Sequence, residues 1–117
     1  WLSLASGARL AAVTNVREGG PERPATASRG ELPVDALTGP VPVTGFAQHV
    51  VDDLGRYGPV NLLAGDLDEM WWASNRSGRG PMRLGTGVHG LSNAALDTPW
   101  PKVVGAVAQV RTLLGTE

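Results

Sequence analysis

The chain contains no cysteine, which removes disulfides, thiolate zinc sites and a cysteine nucleophile together. Its two histidines, His49 and His89, lie far apart in sequence, so a histidine-based metal site is not expected. Ten Lys and Arg stand against eleven Asp and Glu, for a formal net charge of −1. No cationic excess is left to neutralise phosphates, which argues against a nucleic-acid partner. No apolar run reaches the roughly 18 residues of a membrane span. No signal peptide is visible, although the chain opens on Trp1 rather than Met, and a cytoplasmic location is the expectation.

What is present fits one domain or part of one. A chain of 117 residues buries roughly two thirds of its extended surface on folding, enough for a single core. "WLSLA" and "RLAAVTN" flank the glycine turn "SGA" and read as a hairpin. In the second strand Ala11, Val13 and Asn15 share one face, and Leu10, Ala12 and Thr14 the other. A long loop rich in Gly, Pro and Ser follows, with one short helical turn around Pro33 to Leu37. "TGFAQHVVDDLGRYG" carries Phe46, Val50, Leu54 and Tyr57 at helical spacing, with Thr44 as N-cap and His49 on its polar side.

Two further strand-like runs, "VNLLAGD" and "MWWASNR", join at "DLDE", and "MRLGTGVHGLSN" is a third strand candidate. "TPWPKVVGAVAQVRTLLG" reads as a second amphipathic helix, capped by Thr98 or Asp97 with Pro99 in its first turn. The order β-β-loop-α-β-β-β-α predicts an α+β fold, an antiparallel sheet with flanking helices. No solenoid-type repeat is present.

"GTGVHG" matches the dinucleotide-binding spacing, but no helix opens at it and no acid lies about 20 residues on. Glycines loosening a strand account for it better. His89 sits in that strand with no carboxylate placed beside it by sequence. The "GDLDE" acids read as a turn rather than a calcium loop. Trp71 and Trp72 must face opposite sides of one strand, so one of them packs under a helix or lines a pocket. Asn15, Asn75 and Asn93 end or nearly end strands, although Asn is a poor strand former. Two explanations stand: turn chemistry, or a polar cluster at one rim of the sheet that donates to a developing oxyanion.

"AAVTNVRE", "SRGELPVDAL", "NLLAGD", "SNR" and above all "GLSNAALDTPWPKV" resemble the NRDE family, that of the transport-and-Golgi-organisation proteins. The match runs in order across almost the whole chain. The resemblance implies a four-layer αββα fold of the N-terminal-nucleophile-hydrolase kind, with an N-terminal Cys and an Asn-Arg-Asp-Glu motif. Neither occurs here, so the chain resembles a central slice of a larger domain, an incomplete unit spanning 1–117.

By that resemblance Asn15 and Asn93 supply oxyanion or polar support for amide cleavage. Ser92, Arg17, Asn75, Trp72 and His89 are the ligand-binding side chains it suggests. An amidohydrolase-like domain without its nucleophile is thus the first expectation. The alternative is a carrier of haem or an acyl conjugate, with His89 as the natural haem ligand and the "WWAS" strand as an apolar wall. Either way a small-molecule ligand or substrate is expected, with no resident cofactor and no metal. Exposed strand edges predispose the chain to association with copies of itself.

Overall fold

The first hairpin forms where the alternating pattern stops at glycine. The computed structural model describes residues 2–17, 28–38 and 56–115. Strand β1 (Leu2–Ala5) pairs antiparallel with β2 (Arg9–Asn15), with Leu4 opposite Leu10 and Ala5 opposite Arg9. The turn needs two left-handed residues in succession, Gly7 at φ 78° and Ala8 at φ 56°. Glycine takes that conformation at no steric cost, whereas Ala8 is held there by the pairing on either side.

Helix α1 (Glu31–Thr38) covers β1, β2 and β3 (Val60–Gly65). Its first turn is tied back by Ser28, whose carbonyl accepts from Glu31 N–H and whose Oγ accepts from Gly30 N–H. At the other end α1 lacks a basic residue of its own, and Arg9 of β2 donates to the Ala36 carbonyl at 3.3 Å instead. The expected helical turn at Pro33 to Leu37 is thus a helix of eight residues. The longer helix expected over Thr44 to Gly58, with His49, lies mostly outside the described residues; Arg56, Tyr57 and Gly58 at its end are not helical.

Strand β4 (Met70–Ser74) returns antiparallel to β3, and β5 (Met82–Arg83) adds a two-residue edge. The sheet order is β1-β2-β3-β4-β5, antiparallel throughout, which makes the fold α+β as expected. The β3–β4 turn is built by Asp66, whose Oδ1 accepts from the N–H groups of Asp68 and Glu69 at 2.8 and 3.1 Å. Those two bonds hold the Asp66 carboxyl below its usual range and explain the acidic run as turn chemistry.

Register divides the sheet into two unlike faces. Cross-strand partners share a face, so Ala11–Ala64, Val13–Leu62 and Leu62–Ala73 form one surface. With Val60 and Tyr57 they make the core under Leu32, Ala36 and Leu37 of α1. Alanines at Ala11, Ala64 and Ala73 leave room for a close helix, while Leu32 and Leu62 are each buried, worth about 1.5–3 kcal/mol at most. The opposite face carries Leu2, Leu4, Leu10, Leu63, Trp72 and Met82. No described helix covers it, and Leu2 and Leu4 stay 63% and 72% exposed. As alternation requires, Trp71 and Trp72 take opposite faces.

Two expectations fail between residues 84 and 101. The third strand does not run to Asn93: β5 ends at Arg83, and residues 84–100 are irregular. Gly87 at φ 142° and Asp97 at φ 57° leave the extended region, and side-chain bonds replace ladder bonds. The second described helix, α2 (Pro101–Leu114), is capped by neither Asp97 nor Thr98. Asp97 is committed to His89 and the Gly90 N–H, and Thr98 Oγ donates to the Ala95 carbonyl. Trp100 becomes an N-cap without a side-chain bond, Pro101 takes the first helical position, and Gly115 ends the helix at φ 68°. No α2 residue is fully buried, and α2 packs against no strand among the described residues. Val103 and Val107 rest against Gly90, while Val104, Val110 and Leu114 are exposed.

Candidate functional site

The end of β2, the start of β3 and the end of β4 meet at one rim of the sheet, because Asn15 pairs with Val60 and Asn61 with Ser74. Asn15 at the end of β2 and Asn75 just past the end of β4 therefore come to this rim on either side of β3, and the segment 91–94 is laid across it. Four bonds fix that segment. Thr14 Oγ donates to the Ser92 carbonyl at 2.7 Å, and Asn61 Nδ2 to the Ala94 carbonyl at 2.7 Å. Arg17 N–H donates to the Asn93 carbonyl at 2.7 Å, and Asn93 Nδ2 returns a bond to the Asn15 carbonyl at 2.9 Å. Residues 78 positions apart in the chain are thereby stitched together.

The side chain that organises the rim is Asn61, which the sequence analysis did not single out. It is fully buried. Its Nδ2 reaches both Ala94 O and Thr14 Oγ, the latter at 3.2 Å, while its Oδ1 accepts from Trp72 Nε1 at 3.0 Å. The signal was an asparagine inside the apolar strand "VNLLAG": a buried amide must find partners, and here they come from three separate stretches of chain. Trp72 is accordingly a buried support joined to the rim through Asn61, with its indole N–H already committed.

The candidate residues divide by what their polar atoms have left to give. Asn75 is spent on structure: its Oδ1 accepts from Val60 N–H and its Nδ2 donates to Gly58 O, both at 3.0 Å. For Asn75 the turn explanation suffices. Asn93 has given one of its two amide hydrogens to Asn15. Ser92 Oγ approaches Asn93 Oδ1 at a long 3.4 Å. Asn15 and Arg17 are exposed, and their side chains have no hydrogen-bond partner among the described residues. Asn15, Arg17, Ser92 and Asn93 are thus joined at this rim, the first two through their backbones, with the Asn15 side chain in register on the Val60 face, opposite Thr14 and Asn61.

His89 belongs to a second cluster on the same loop. Its Nδ1 lies 2.9 Å from Asp97 Oδ2 and its Nε2 2.9 Å from the Gly85 carbonyl. Asp97 Oδ1 also accepts from Gly90 N–H at 2.8 Å, and Asp97 N–H donates to Gly90 O at 2.7 Å. The carboxylate that sequence spacing did not place beside His89 is therefore supplied eight residues on, by a left-handed Asp97. The Asp97 bond, then the Gly85 carbonyl, raise the His89 pKa above its ordinary value, outweighing partial burial and the charge of Arg111. Partial burial pushes the Asp97 carboxyl up, but the bonds from His89 and Gly90 N–H and the charges of His89 and Arg111 leave it lowered. For His89 to ligate haem iron, the ring would have to release Gly85 or Asp97.

Between this loop and α2 lies an open groove of about 290 Å³, lined by Val88, Leu91, Val103, Val107 and Val110 with Lys102 at its edge. The Lys102 ammonium sits 5.4 Å over the Trp100 ring. Among the described residues no three acidic or histidine side chains converge on a point that could hold a metal ion. No described helix is long and apolar enough to cross a membrane.

Comparison with known proteins agrees with the motifs that shape this rim. The family model described as Transport and Golgi organisation 2 matches residues 1–117. The chain is 36% identical over 108 residues to the Transport and Golgi organization protein 2 homolog of Bos taurus, and 35% identical to that of Homo sapiens. In both cases the match takes in 88% of this chain and 39% of the relative, so the chain spans well under half the length of the proteins it resembles. On the whole-chain match and these identities, the chain belongs to the Transport and Golgi organisation 2 family.

Proposed function

We propose that the rim formed by Asn15, Arg17, Ser92 and Asn93 binds the carbonyl end of an acyl or amide substrate, as the polar half of an amidohydrolase-like site. The observation that carries this reading is the Asn93–Asn15 bond. It fixes the Asn93 amide by one hydrogen while the other stays available. A donor held in place before the reaction stabilises negative charge developing on a carbonyl oxygen without a reorganisation cost. Arg17 and Asn15, joined to Asn93 through their backbones, bring further side-chain donors to the same strand end.

The chain has no cysteine, so a thiol nucleophile for such a reaction comes from outside these residues. The uncovered apolar patch of Leu2 and Leu4 supports the four-layer arrangement, in which a second sheet would lie against it.

The test uses a polypeptide that joins this chain to the family's N-terminal cysteine, assayed for release of amine from N-acyl amides. Asn15→Ala and Asn93→Ala should each lower turnover on the order of 100-fold, as loss of an oxyanion donor does elsewhere. Full turnover in both variants, or none in the parent, refutes the reading.

A second reading has its own observation, the apolar groove beside α2. With Lys102 at its edge it suits the chain of an acyl conjugate, held without cleavage. A fluorescent fatty-acyl probe should bind the chain and be lost in Val107→Asp; equal binding by the variant excludes the groove.

A further inference from the structure

The loop that carries Ser92 and Asn93 is closed by a contact whose hydrogens can be counted. Gly85 O and the ionised Asp97 carboxylate are both acceptors, and each faces a ring nitrogen of His89 at 2.9 Å. A neutral imidazole carries one N–H and can serve only one of them; its other nitrogen presents a lone pair. Both contacts together require the imidazolium form. We propose that residues 85–97 form a proton-operated clasp, in which the second ring hydrogen of His89 holds Asp97 and so sets the position of the Ser92–Asn93 turn on the sheet rim.

The geometry supports a device rather than an incidental ion pair. Asp97 is held at φ 57°, a strained conformation for a non-glycine residue that persists only where its surroundings hold it. What holds it is the clasp: two bonds accepted by its carboxylate, from His89 and from Gly90 N–H, and one donated by its own N–H to Gly90 O. The ring so closed brackets residues 91–96. Of these, Ser92, Asn93 and Ala94 are the ones bonded to Thr14, Arg17 and Asn61. Removing the second hydrogen leaves a lone pair of Nδ1 or Nε2 facing an oxygen at 2.9 Å, which is repulsive.

Among the described residues the charged groups facing His89 are few. Asp97 lies on its own loop, and α2 contributes Arg111, whose charge opposes the imidazolium, together with Lys102 at the shared groove. The partners from β2 and β3, Thr14 and Asn61, do not titrate. Asp97 is therefore the group that keeps the proton on His89, and the raised His89 pKa agrees with the geometry. The closed state persists below that raised pKa and opens as pH rises through it. At the acid end it opens as Asp97 takes up a proton, below the usual carboxylate range.

The experiment is NMR on the chain labelled with ¹⁵N-histidine and uniform ¹⁵N, titrated from about pH 5 to about pH 9, a range spanning the ordinary imidazole pKa. Both His89 ring nitrogens should show the protonated shift well above the pH at which a free imidazole loses its charge. The amides of Gly90, Ser92 and Asn93 should move with the same midpoint. Asp97→Asn should lower the His89 midpoint to the ordinary value or below it. His89→Gln keeps an N–H donor without titrating, and it should abolish the shared midpoint while leaving the β2–β3 amide resonances in place. An ordinary His89 midpoint, or Ser92 and Asn93 amides that ignore it, overturns the proposal. A pH response that survives in His89→Gln overturns it as well.

Discussion

Replacing Asn61 should damage this protein more than any other single polar change in the described residues. Asn61 is completely buried and joins three groups: Trp72 Nε1, the Ala94 carbonyl and Thr14 Oγ. In Asn61→Leu the volume is roughly kept, but Trp72 Nε1 loses its acceptor at a residue only 6% exposed. An orphaned buried donor costs about 1–3 kcal/mol, and Ala94 O, left without its donor, a similar amount where water cannot reach it. The expected loss is therefore about 2–6 kcal/mol, a large part of the 5–15 kcal/mol typical of a domain. Urea denaturation with the m-value checked for constancy measures it. The double variant Asn61→Leu/Trp72→Phe supplies the decisive arm. With both partners apolar, the indole orphan is gone and about 1–2 kcal/mol should return. A single variant within about 0.5 kcal/mol of the parent, or a double variant no more stable than Asn61→Leu, refutes the bonding scheme.

Other substitutions probe other joints. Gly65→Ala puts a Cβ into the Glu69 carbonyl and Met70 Cα, both backbone atoms, and should open the β3–β4 hairpin, with a thermal midpoint lowered by at least about 5 °C. Gly90→Ala places a Cβ 2.5 Å from Val103 Cγ1 and 3.1 Å from Val107 Cγ2; it should push α2 off the loop, read as faster amide exchange in 101–114 with the sheet unchanged. The pH dependence follows from His89, whose folded pKa is raised. Its contribution to stability is complete below the ordinary imidazole pKa and is lost as pH rises through the folded one, so denaturation midpoints of the parent should fall over that window and those of His89→Gln should not.

The parts of the fold legible in the sequence are those decided by neighbours along the chain. Alternation plus "SGA" was enough for the first hairpin, and Asp66 with its short-range bonds was enough for the second. The loop over 84–100 was not legible, because its conformation rests on bonds between residues eight apart and between residues 78 apart. A glycine-rich stretch ending in "LSN" has the composition of a loosened strand, and nothing local reveals that Asp97 turns left-handed to reach His89. The same commitment removed Asp97 from helix capping, which is why α2 starts three residues after Thr98. Its heptad-like valines announce an apolar side but not what lies against it. At the rim, Asn15 and Asn93 were legible as strand-end asparagines, with turn chemistry as the rival explanation, and the family motifs added Ser92. Asn61 was open to discovery by a plainer route, the cost of burying an amide.

The central claim is that the rim donates to the oxygen of an acyl group, and charge at that oxygen should therefore govern binding. Calorimetric titration of the chain with an alkyl phosphonate monoester, an anionic tetrahedral mimic, and with the matching neutral amide isolates that effect. The phosphonate should bind at least about tenfold tighter, and Asn93→Ala should erase most of that preference while leaving the amide affinity nearly unchanged. Equal affinity for the two ligands, or a preference that Asn93→Ala leaves intact, would contradict the account.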